Sequence, residues 1–284
     1  MNLQILLNVL ILAISVFPIN QLRGQTFTTP SMDGIPITYE VHGEGALALV
    51  FVHGWSCDRS YWKGQLGPFS QRYKVVAIDL AGHGASGKER KNYTIESFGA
   101  DVATVVNKLN LQHIILIGHS MGGDVIADAA RQLPRDRIEG LVMVETYAEL
   151  GPGSTPEQVK VFVAKFRTNF KDSTRSFVRN MFTSKADTAL IEWVANDMSS
   201  APPAIALSAL ESSFSYSRKI TKTLLELKLP VAAINSDYEP TDTASMLRYG
   251  VQVVVMHGFG HFLMMEDPKQ FNDVLEGVIK KMRK

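Results

Sequence analysis

The chain has 284 residues, of which 45% are hydrophobic and 20% are charged. This composition is typical of a globular protein that buries one large core. Lysine and arginine number 29 against 28 aspartates and glutamates, so no excess of positive charge points to nucleic acid or to an anionic membrane surface as a partner. Cys57 is the single cysteine, which excludes a disulfide within these residues and any zinc or haem site built from cysteines.

The N-terminal residues 5–17 form a short apolar run that is followed by Pro18. The run is shorter than a comfortable membrane span and suits the hydrophobic region of a secretory signal peptide. We therefore expect residues 1–25 to be a signal peptide that directs export to the periplasm or the medium, with no stable membrane insertion after cleavage. No lysine or arginine precedes Ile5, so a membrane anchor formed by residues 5–17 is the alternative.

From residue 26 onward, short apolar runs alternate with longer stretches of helical periodicity. This alternation predicts an α/β fold in which a mostly parallel sheet carries helices on both faces. Residues 147–229 are dominated by helical patterns, which predicts a helical cap inserted into a core made of residues 26–146 and 230–284. The predicted strands cover 27–30, 35–41, 47–52, 75–79, 114–117, 138–144, 231–235 and 251–255. The predicted helices of the core cover 94–109, 125–133, 243–249 and the residues from 267 onward.

The most informative motif is G-x-S-x-G, formed by Gly118, Ser120 and Gly122 at the end of an apolar run. The pattern favours a strand that turns sharply into a helix, because the glycines lack the β-carbons that would collide in such a turn. Ser120 would then stand at the N-terminus of the helix as a candidate nucleophile, beside N–H groups that stabilise an oxyanion. A chance turn is the alternative for this motif taken alone.

A serine nucleophile needs a base within hydrogen-bond reach and an acid that orients the base. His261 is the candidate base, because it follows the last strand at the sheet edge to which the elbow also points. Three carboxylates follow strand ends and are candidates for the acid. Glu239 is the first choice, since it follows a strand that lies between Ser120 and His261 in the chain. Glu145 and Asp237 are the alternatives.

The segment His53-Gly54-Trp55 follows a fully apolar strand. Gly54 allows the backbone to turn so that the N–H of Trp55 points at a substrate oxygen, and the N–H of Met121 would complete an oxyanion hole. The glycine-rich residues 79–87 lack both common phosphate-binding patterns, so no nucleotide is expected there. The sequence predicts no cofactor and no metal ion for the site.

Four elements resemble the α/β-hydrolase fold superfamily, in this order along the chain: His53-Gly54-Trp55, the loop 79–87, Gly118-His119-Ser120-Met121-Gly122-Gly123, and Gly260-His261 followed by Glu266-Asp267-Pro268. The resemblance covers about residues 26–284 apart from the variable cap. It implies an eight-stranded sheet, Ser120 as nucleophile, His261 as base, and Trp55 and Met121 as oxyanion donors.

The acid departs from the usual pattern of this superfamily. Its members usually carry an aspartate after the strand that here ends near Asn235, and this chain has Glu239 at the matching place. Some members with related caps carry the acid after the preceding strand, which would select Glu145.

The site residues and the resemblance predict a serine hydrolase that cleaves a small-molecule ester or lactone through an acyl-enzyme, beneath a helical cap that shapes an apolar pocket. A cofactor-free haloperoxidase-type enzyme and a carbon–carbon bond hydrolase are alternatives with the same serine framework. A ligand-binding protein that keeps the fold without turnover is an alternative of a different class. Serine in place of aspartate at the elbow argues against an epoxide hydrolase or a dehalogenase. The sequence predicts neither the particular substrate nor the oligomeric state.

Overall fold

A computed structural model describes residues 24–283. The predicted signal peptide, with its apolar run at 5–17, lies almost entirely outside the described residues. One sheet of eight strands forms the centre of the molecule, in the order β1-β2-β4-β3-β5-β6-β7-β8. The second strand pairs antiparallel with β1 and β4, and all other neighbours are parallel. The strands are β1 (Gln25–Pro30), β2 (Pro36–His42), β3 (Ala48–Val52), β4 (Lys74–Ile78), β5 (Ile114–His119), β6 (Ile138–Val144), β7 (Val231–Ser236) and β8 (Val251–Met256).

Helices cover the sheet on both faces, which confirms the predicted fold class. Helices α2 and α3 pack against each other, and α1 packs against α10. The described helices are α1 (Lys63–Ser70), α2 (Ile95–Lys108), α3 (Met121–Gln132), α4 (Pro156–Arg167), α5 (Phe170–Arg179), α6 (Thr188–Ser199), α7 (Pro203–Leu227), α8 (Thr243–Arg248), α9 (Leu263–Glu266) and α10 (Pro268–Met282).

The central strands are apolar because helices bury them from both sides. Every residue of β3 and β5 is buried, as expected for parallel strands in the middle of a doubly covered sheet. Helix α2 begins where the sequence predicts, at the N-cap Thr94, whose hydroxyl accepts from the N–H of Ser97 while the Ser97 hydroxyl accepts from Thr94. Its buried face includes Phe98 and Val102.

Helices α4 to α7, which we call the helical insertion, lie between β6 and β7 and fall within the segment predicted as a cap. Helix α7 packs against α2 and α3. The indole N–H of Trp55 donates to the Ala206 carbonyl oxygen at 2.7 Å, and the Tyr61 hydroxyl donates to Asp197 at 2.7 Å. The insertion is therefore joined directly to the loops that follow β3. Within residues 24–283, no helix combines the length and the apolar character that a bilayer crossing requires.

Candidate active site

The turn from β5 into α3 has the geometry of a nucleophile elbow. Ser120 has φ 52° and ψ −120°, a conformation that non-glycine residues rarely adopt. A β-carbon on Gly118 would lie 2.2 Å from the Gly122 carbonyl oxygen, and one on Gly122 would lie 2.5 Å from the Val52 carbonyl oxygen. The two glycines of the motif are thus required by close backbone packing around Ser120.

His261 and Glu145 meet at the carboxyl edge of the sheet. The Nδ1 atom of His261 lies 3.2 Å from Glu145 Oε2. Because a carboxylate only accepts, Nδ1 carries the proton and Nε2 is the basic nitrogen. The other oxygen of Glu145 accepts from the backbone N–H of Ser236, at the end of β7. With side chains 15% and 9% exposed, His261 and Glu145 form a largely dehydrated pair.

The loop that carries His261 is held from three sides. The Nε2–H of His119 donates to the His261 carbonyl oxygen at 2.9 Å, and the His261 N–H donates to the Met181 carbonyl oxygen of the helical insertion at 2.8 Å. The N–H of Gly260 donates to Glu266 at 2.9 Å. Burial holds the pKa of His119 well below its usual range, so this second imidazole is neutral and acts as a support for the loop.

The structure does not bring the other two candidate acids to His261. Glu239 is exposed, three residues beyond the end of β7, and makes no hydrogen bond to a described residue. Asp237 accepts from the Gly258 N–H at 2.7 Å and faces His257, and the Gly258 bond lowers the pKa of its carboxyl. The geometry thus favours Glu145 over the first choice, Glu239, because the Glu145 carboxylate lies 3.2 Å from His261 Nδ1 whereas Glu239 is exposed and makes no hydrogen bond with His261.

The two candidate oxyanion donors are free to bind a ligand. Neither the N–H of Trp55 nor that of Met121 donates to another atom of residues 24–283. Gly54 brings the Trp55 loop against the elbow, since a β-carbon on Gly54 would lie 2.9 Å from His119 Nδ1 and 3.3 Å from Ser120 Cβ. The loop after β3 and the start of α3 therefore face the same space.

That space is a cavity of about 590 Å³ lined by Ser120, His261, Glu145 and Trp55. The helical insertion contributes to its walls, and large apolar side chains make up much of the lining. The larger apolar members of the lining are Trp55, Leu150, Phe177, Met181, Met198, Leu210, Phe214, Ile220 and Phe262.

Three residues that the sequence did not single out join α3 to the insertion inside this cavity. Asp124 accepts one hydrogen bond from the hydroxyl of Tyr147 at 2.5 Å and one from the hydroxyl of Ser213 at 2.7 Å. Asp124 follows Ser120 by four residues, so it lies on the same face of α3, and this spacing was the available signal. Burial raises the pKa of Asp124 to about 7, although the hydrogen bonds from the two hydroxyls act in the opposite direction and lower it.

Cys57 also lines the cavity, yet it is buried, and its Sγ–H donates to the Trp55 carbonyl oxygen at 3.3 Å. Burial raises the pKa of this thiol well above its usual value, which disfavours the reactive thiolate. Among the residues that the structure describes, no group of three or more His, Cys, Asp or Glu side chains is arranged to hold a metal ion.

Comparison with protein families decides the assignment of the fold. Residues 48–268 match the family model described as alpha/beta hydrolase fold. The chain belongs to the α/β-hydrolase fold family. The resemblance inferred from the sequence motifs is thereby confirmed.

Proteins that are similar to this chain have names that describe several different activities. The chain is 36% identical over 113 residues to a dihydrolipoyllysine-residue acetyltransferase component of an acetoin cleaving system from Cupriavidus necator, covering 40% of this chain and 30% of that protein. It is 34% identical over 119 residues to a non-heme chloroperoxidase from Streptomyces lividans, covering 41% and 43%. The matched segments thus span less than half of either relative. A thermophilic esterase from Thermogutta terrifontis superposes with TM-score 0.78 at 25% identity, covering 92% of this chain and all of that one.

Proposed function

We propose that this protein is a serine hydrolase that cleaves a small ester or lactone through an acyl-enzyme intermediate. One observation carries the proposal. His261 Nδ1 lies 3.2 Å from Glu145 Oε2, while His261 and the strained Ser120 line the same cavity. A nucleophile, a base and an acid that fixes the base are the groups that acyl transfer requires.

In the proposed reaction, Ser120 Oγ attacks the substrate carbonyl carbon as His261 Nε2 takes the hydroxyl proton. Glu145 stabilises the imidazolium that forms, without taking its proton. The imidazolium then protonates the departing alkoxide, and the acyl group stays on Ser120. Water, deprotonated by His261, attacks the acyl carbon of the acyl-enzyme. The imidazolium then returns this proton to Ser120 Oγ as the ester bond to the enzyme breaks, and the carboxylic acid is released.

The oxyanion formed in each step would accept from the free N–H groups of Trp55 and Met121. Donors held in place in this way are worth roughly 3 kcal/mol each in other acyl-transfer enzymes. Met121 occupies the first position of α3, where the backbone N–H has no partner within the helix and the helix dipole favours negative charge.

The similarity to a non-heme chloroperoxidase supports a second candidate activity at the same serine. Hydrogen peroxide in place of water would attack the acyl-enzyme and release a peracid, which oxidises halide in solution. This reaction uses the same nucleophile, base and oxyanion donors, so it is an alternative fate of one intermediate.

The proposed mechanism predicts a burst of p-nitrophenol when the enzyme meets p-nitrophenyl acetate, with about one equivalent of product per Ser120. Ser120→Ala should abolish both the burst and the slow turnover that follows. Stopped-flow absorbance measures both phases, and mass spectrometry of quenched protein measures the acetyl group. A parallel assay with peroxide, acetate and bromide measures halogenation of a dye.

Ser200→Ala is the matched control, because Ser200 is an exposed serine at the end of α6. This variant should keep the wild-type burst. An equal burst in Ser120→Ala would contradict the assignment of the nucleophile.

A further inference from the structure

The catalytic cavity has an unbalanced set of charges. Its described lining contains the acidic residues Asp124, Glu145, Glu149 and Glu239, and it contains no lysine and no arginine. Asp124 lies deep in the cavity and is 3% exposed, whereas Glu149 and Glu239 are exposed at the rim. A ligand that enters therefore passes acidic side chains at the rim before it reaches another near Ser120.

Three of these acids have no ion-pair partner among the described lysines and arginines. Among residues 24–283, neither Asp124, Glu149 nor Glu239 forms an ion pair with lysine or arginine. The partners of Asp124 are two hydroxyls, which leave its charge in place when it is ionised. His119, which also lines the cavity, is neutral because it is buried. The potential inside a cavity of this kind attracts cations and repels anions.

A second observation concerns hydrogen bonding. Asn235 lines the cavity and is 3% exposed, and its Oδ1 atom accepts no hydrogen bond from the described residues. Its amide nitrogen is already used, since it donates to the Tyr147 carbonyl oxygen at 2.9 Å. The unsatisfied atom on this wall is a buried acceptor with negative partial charge, so the wall offers no free donor to an anion at this point.

The aromatic lining adds a third feature that favours positive charge. Trp55, Phe177, Phe214 and Tyr238 contribute rings to the cavity wall. The face of an aromatic ring attracts an ammonium group, with an energy that increases when water is excluded. Acidic side chains and aromatic rings around one apolar space are the chemistry that binds an organic cation.

From these features, and resting on the proposed hydrolase function, we propose that the cavity selects esters whose alcohol part carries an ammonium group and discriminates against esters that carry an anionic group. The acidic lining would also repel the carboxylate that deacylation produces, which speeds its release. The ester carbonyl would lie at Ser120, and the ammonium group would lie toward Asp124 and the acidic rim.

A matched series of three acetate esters tests this selectivity. The probes are acetylcholine, its neutral isostere 3,3-dimethylbutyl acetate, and the anionic 2-sulfoethyl acetate, assayed at pH 8 and constant ionic strength. We expect kcat/KM for acetylcholine to exceed that of the neutral ester by about tenfold or more, and the anionic ester to be slower by a similar factor, since charge interactions in a protein cavity reach this size. High salt should reduce both differences.

Two variants test whether the acidic lining causes the selectivity. Asp124→Asn removes the charge deep in the cavity, and the double substitution Glu149→Gln with Glu239→Gln removes the two charges at the rim. The double variant keeps the test valid if Asp124→Asn folds poorly. Each should reduce the cation-to-neutral ratio of kcat/KM by several-fold. The ratio is the readout because it is insensitive to the fraction of active protein.

Binding to Ser120→Ala separates this inference from the proposed function. Uncleaved acetylcholine should bind this variant about tenfold more tightly than the neutral isostere, as measured by calorimetry. Charge-selective binding without turnover of any ester by the wild type would overturn the hydrolase function and support the selectivity. Turnover of all three esters within about twofold of one another would overturn the selectivity and leave the hydrolase function standing.

Discussion

At the scale of single residues, Glu145 combines an unfavourable backbone with two specific contacts. Its φ of 53° lies in the left-handed region, which costs a non-glycine residue of order 1 kcal/mol or more. The carboxylate in return accepts from the Ser236 N–H and faces His261 Nδ1. Strain that is retained beside a histidine and a strained serine is the pattern expected at a functional site.

Glu145→Gln should lower kcat for p-nitrophenyl acetate by about a thousandfold or more, with a smaller change in KM. The glutamine amide would favour the wrong tautomer of His261 and could not stabilise the imidazolium, an effect of roughly ten thousandfold where it has been separated in a serine protease. Steady-state kinetics on protein of verified fold provide the measurement.

Asp237→Asn is the control for this experiment, because Asp237 is exposed and contacts His257 and Gly258 instead of His261. Its kcat should stay within about twofold of the wild type. Glu239→Gln is the rival, since the sequence favours Glu239. A thousandfold loss in Glu239→Gln together with an active Glu145→Gln would refute our assignment of the acid.

The sequence identified some site residues and left others open for a physical reason. Ser120 and the two glycines beside it belong to one turn, so local backbone sterics make them recognisable from the motif. The acid is recognised by its distance to His261, which depends on the order and twist of distant strands. Glu145, Asp237 and Glu239 all follow strand ends, so the sequence named all three, but its first choice, Glu239, is not the residue that the structure places against His261.

Among the secondary-structure elements, helices with strong local signals were predicted from the sequence, whereas a helix without such signals was not. Helix α2 was predicted because its N-cap and its apolar spacing are both local signals. Helix α1, Lys63–Ser70, was not predicted, since it contains two glycines and Pro68 and has weak helical periodicity. Its buried residues Leu66 and Phe69 pack into the core, so tertiary contacts stabilise a helix that its composition disfavours.

The close backbone packing at the nucleophile elbow predicts how a substitution at Gly122 changes the stability of the protein. Gly122→Ala should destabilise the protein by about 3 kcal/mol, which is at the upper end for a methyl group added to a packed site. The new β-carbon would lie 2.5 Å from the Val52 carbonyl oxygen and 2.7 Å from the His53 carbonyl oxygen. The contacts are backbone atoms of β3 and the loop after it, which have little room to move. Urea denaturation followed by circular dichroism measures the change.

Gly277→Ala is the matched control for the elbow variant. Gly277 lies inside α10, and a β-carbon there meets no atom within 4 Å. Alanine at this position should stabilise the protein by roughly 0.5–1 kcal/mol, the usual gain over glycine in a helix. Equal stability of the two variants would show that the elbow tolerates a side chain at position 122.

Across the molecule as a whole, two buried acids of α3 link the sheet domain, which is the part of the chain outside the helical insertion, to that insertion. Asp124 on α3 accepts from Ser213 on α7 and from Tyr147, which follows β6. Tyr216 on α7 repeats the contact one turn later, with its hydroxyl 3.2 Å from Asp128. The seam between the two parts is therefore polar and buried, and its stability depends on whether Asp124 carries a charge.

The contribution of Asp124 to the stability of the fold should consequently fall as the pH rises from about 4 to about 7. Burial raises the pKa of Asp124 to about 7 in the folded protein, while the unfolded chain loses this proton near pH 4. The folded state binds more protons over that interval, so the contribution is present at low pH and is lost as the pH passes through the folded-state pKa. Each pKa unit is worth about 1.4 kcal/mol.

Asp124→Asn removes this titration, so the Tm of the variant relative to that of the wild type should increase between pH 5 and pH 8. Asparagine can still accept from one hydroxyl and donate to the other, because both hydroxyls can rotate. Asp237→Asn is the control: the pKa of Asp237 is lowered, so this carboxyl is ionised in the folded and the unfolded chain above pH 5, and its removal should leave the Tm difference constant between pH 5 and pH 8. A steeper loss of Tm in Asp124→Asn than in the wild type would mean that the carboxylate itself, through its hydrogen bonds to Tyr147 and Ser213, holds the insertion on the sheet domain.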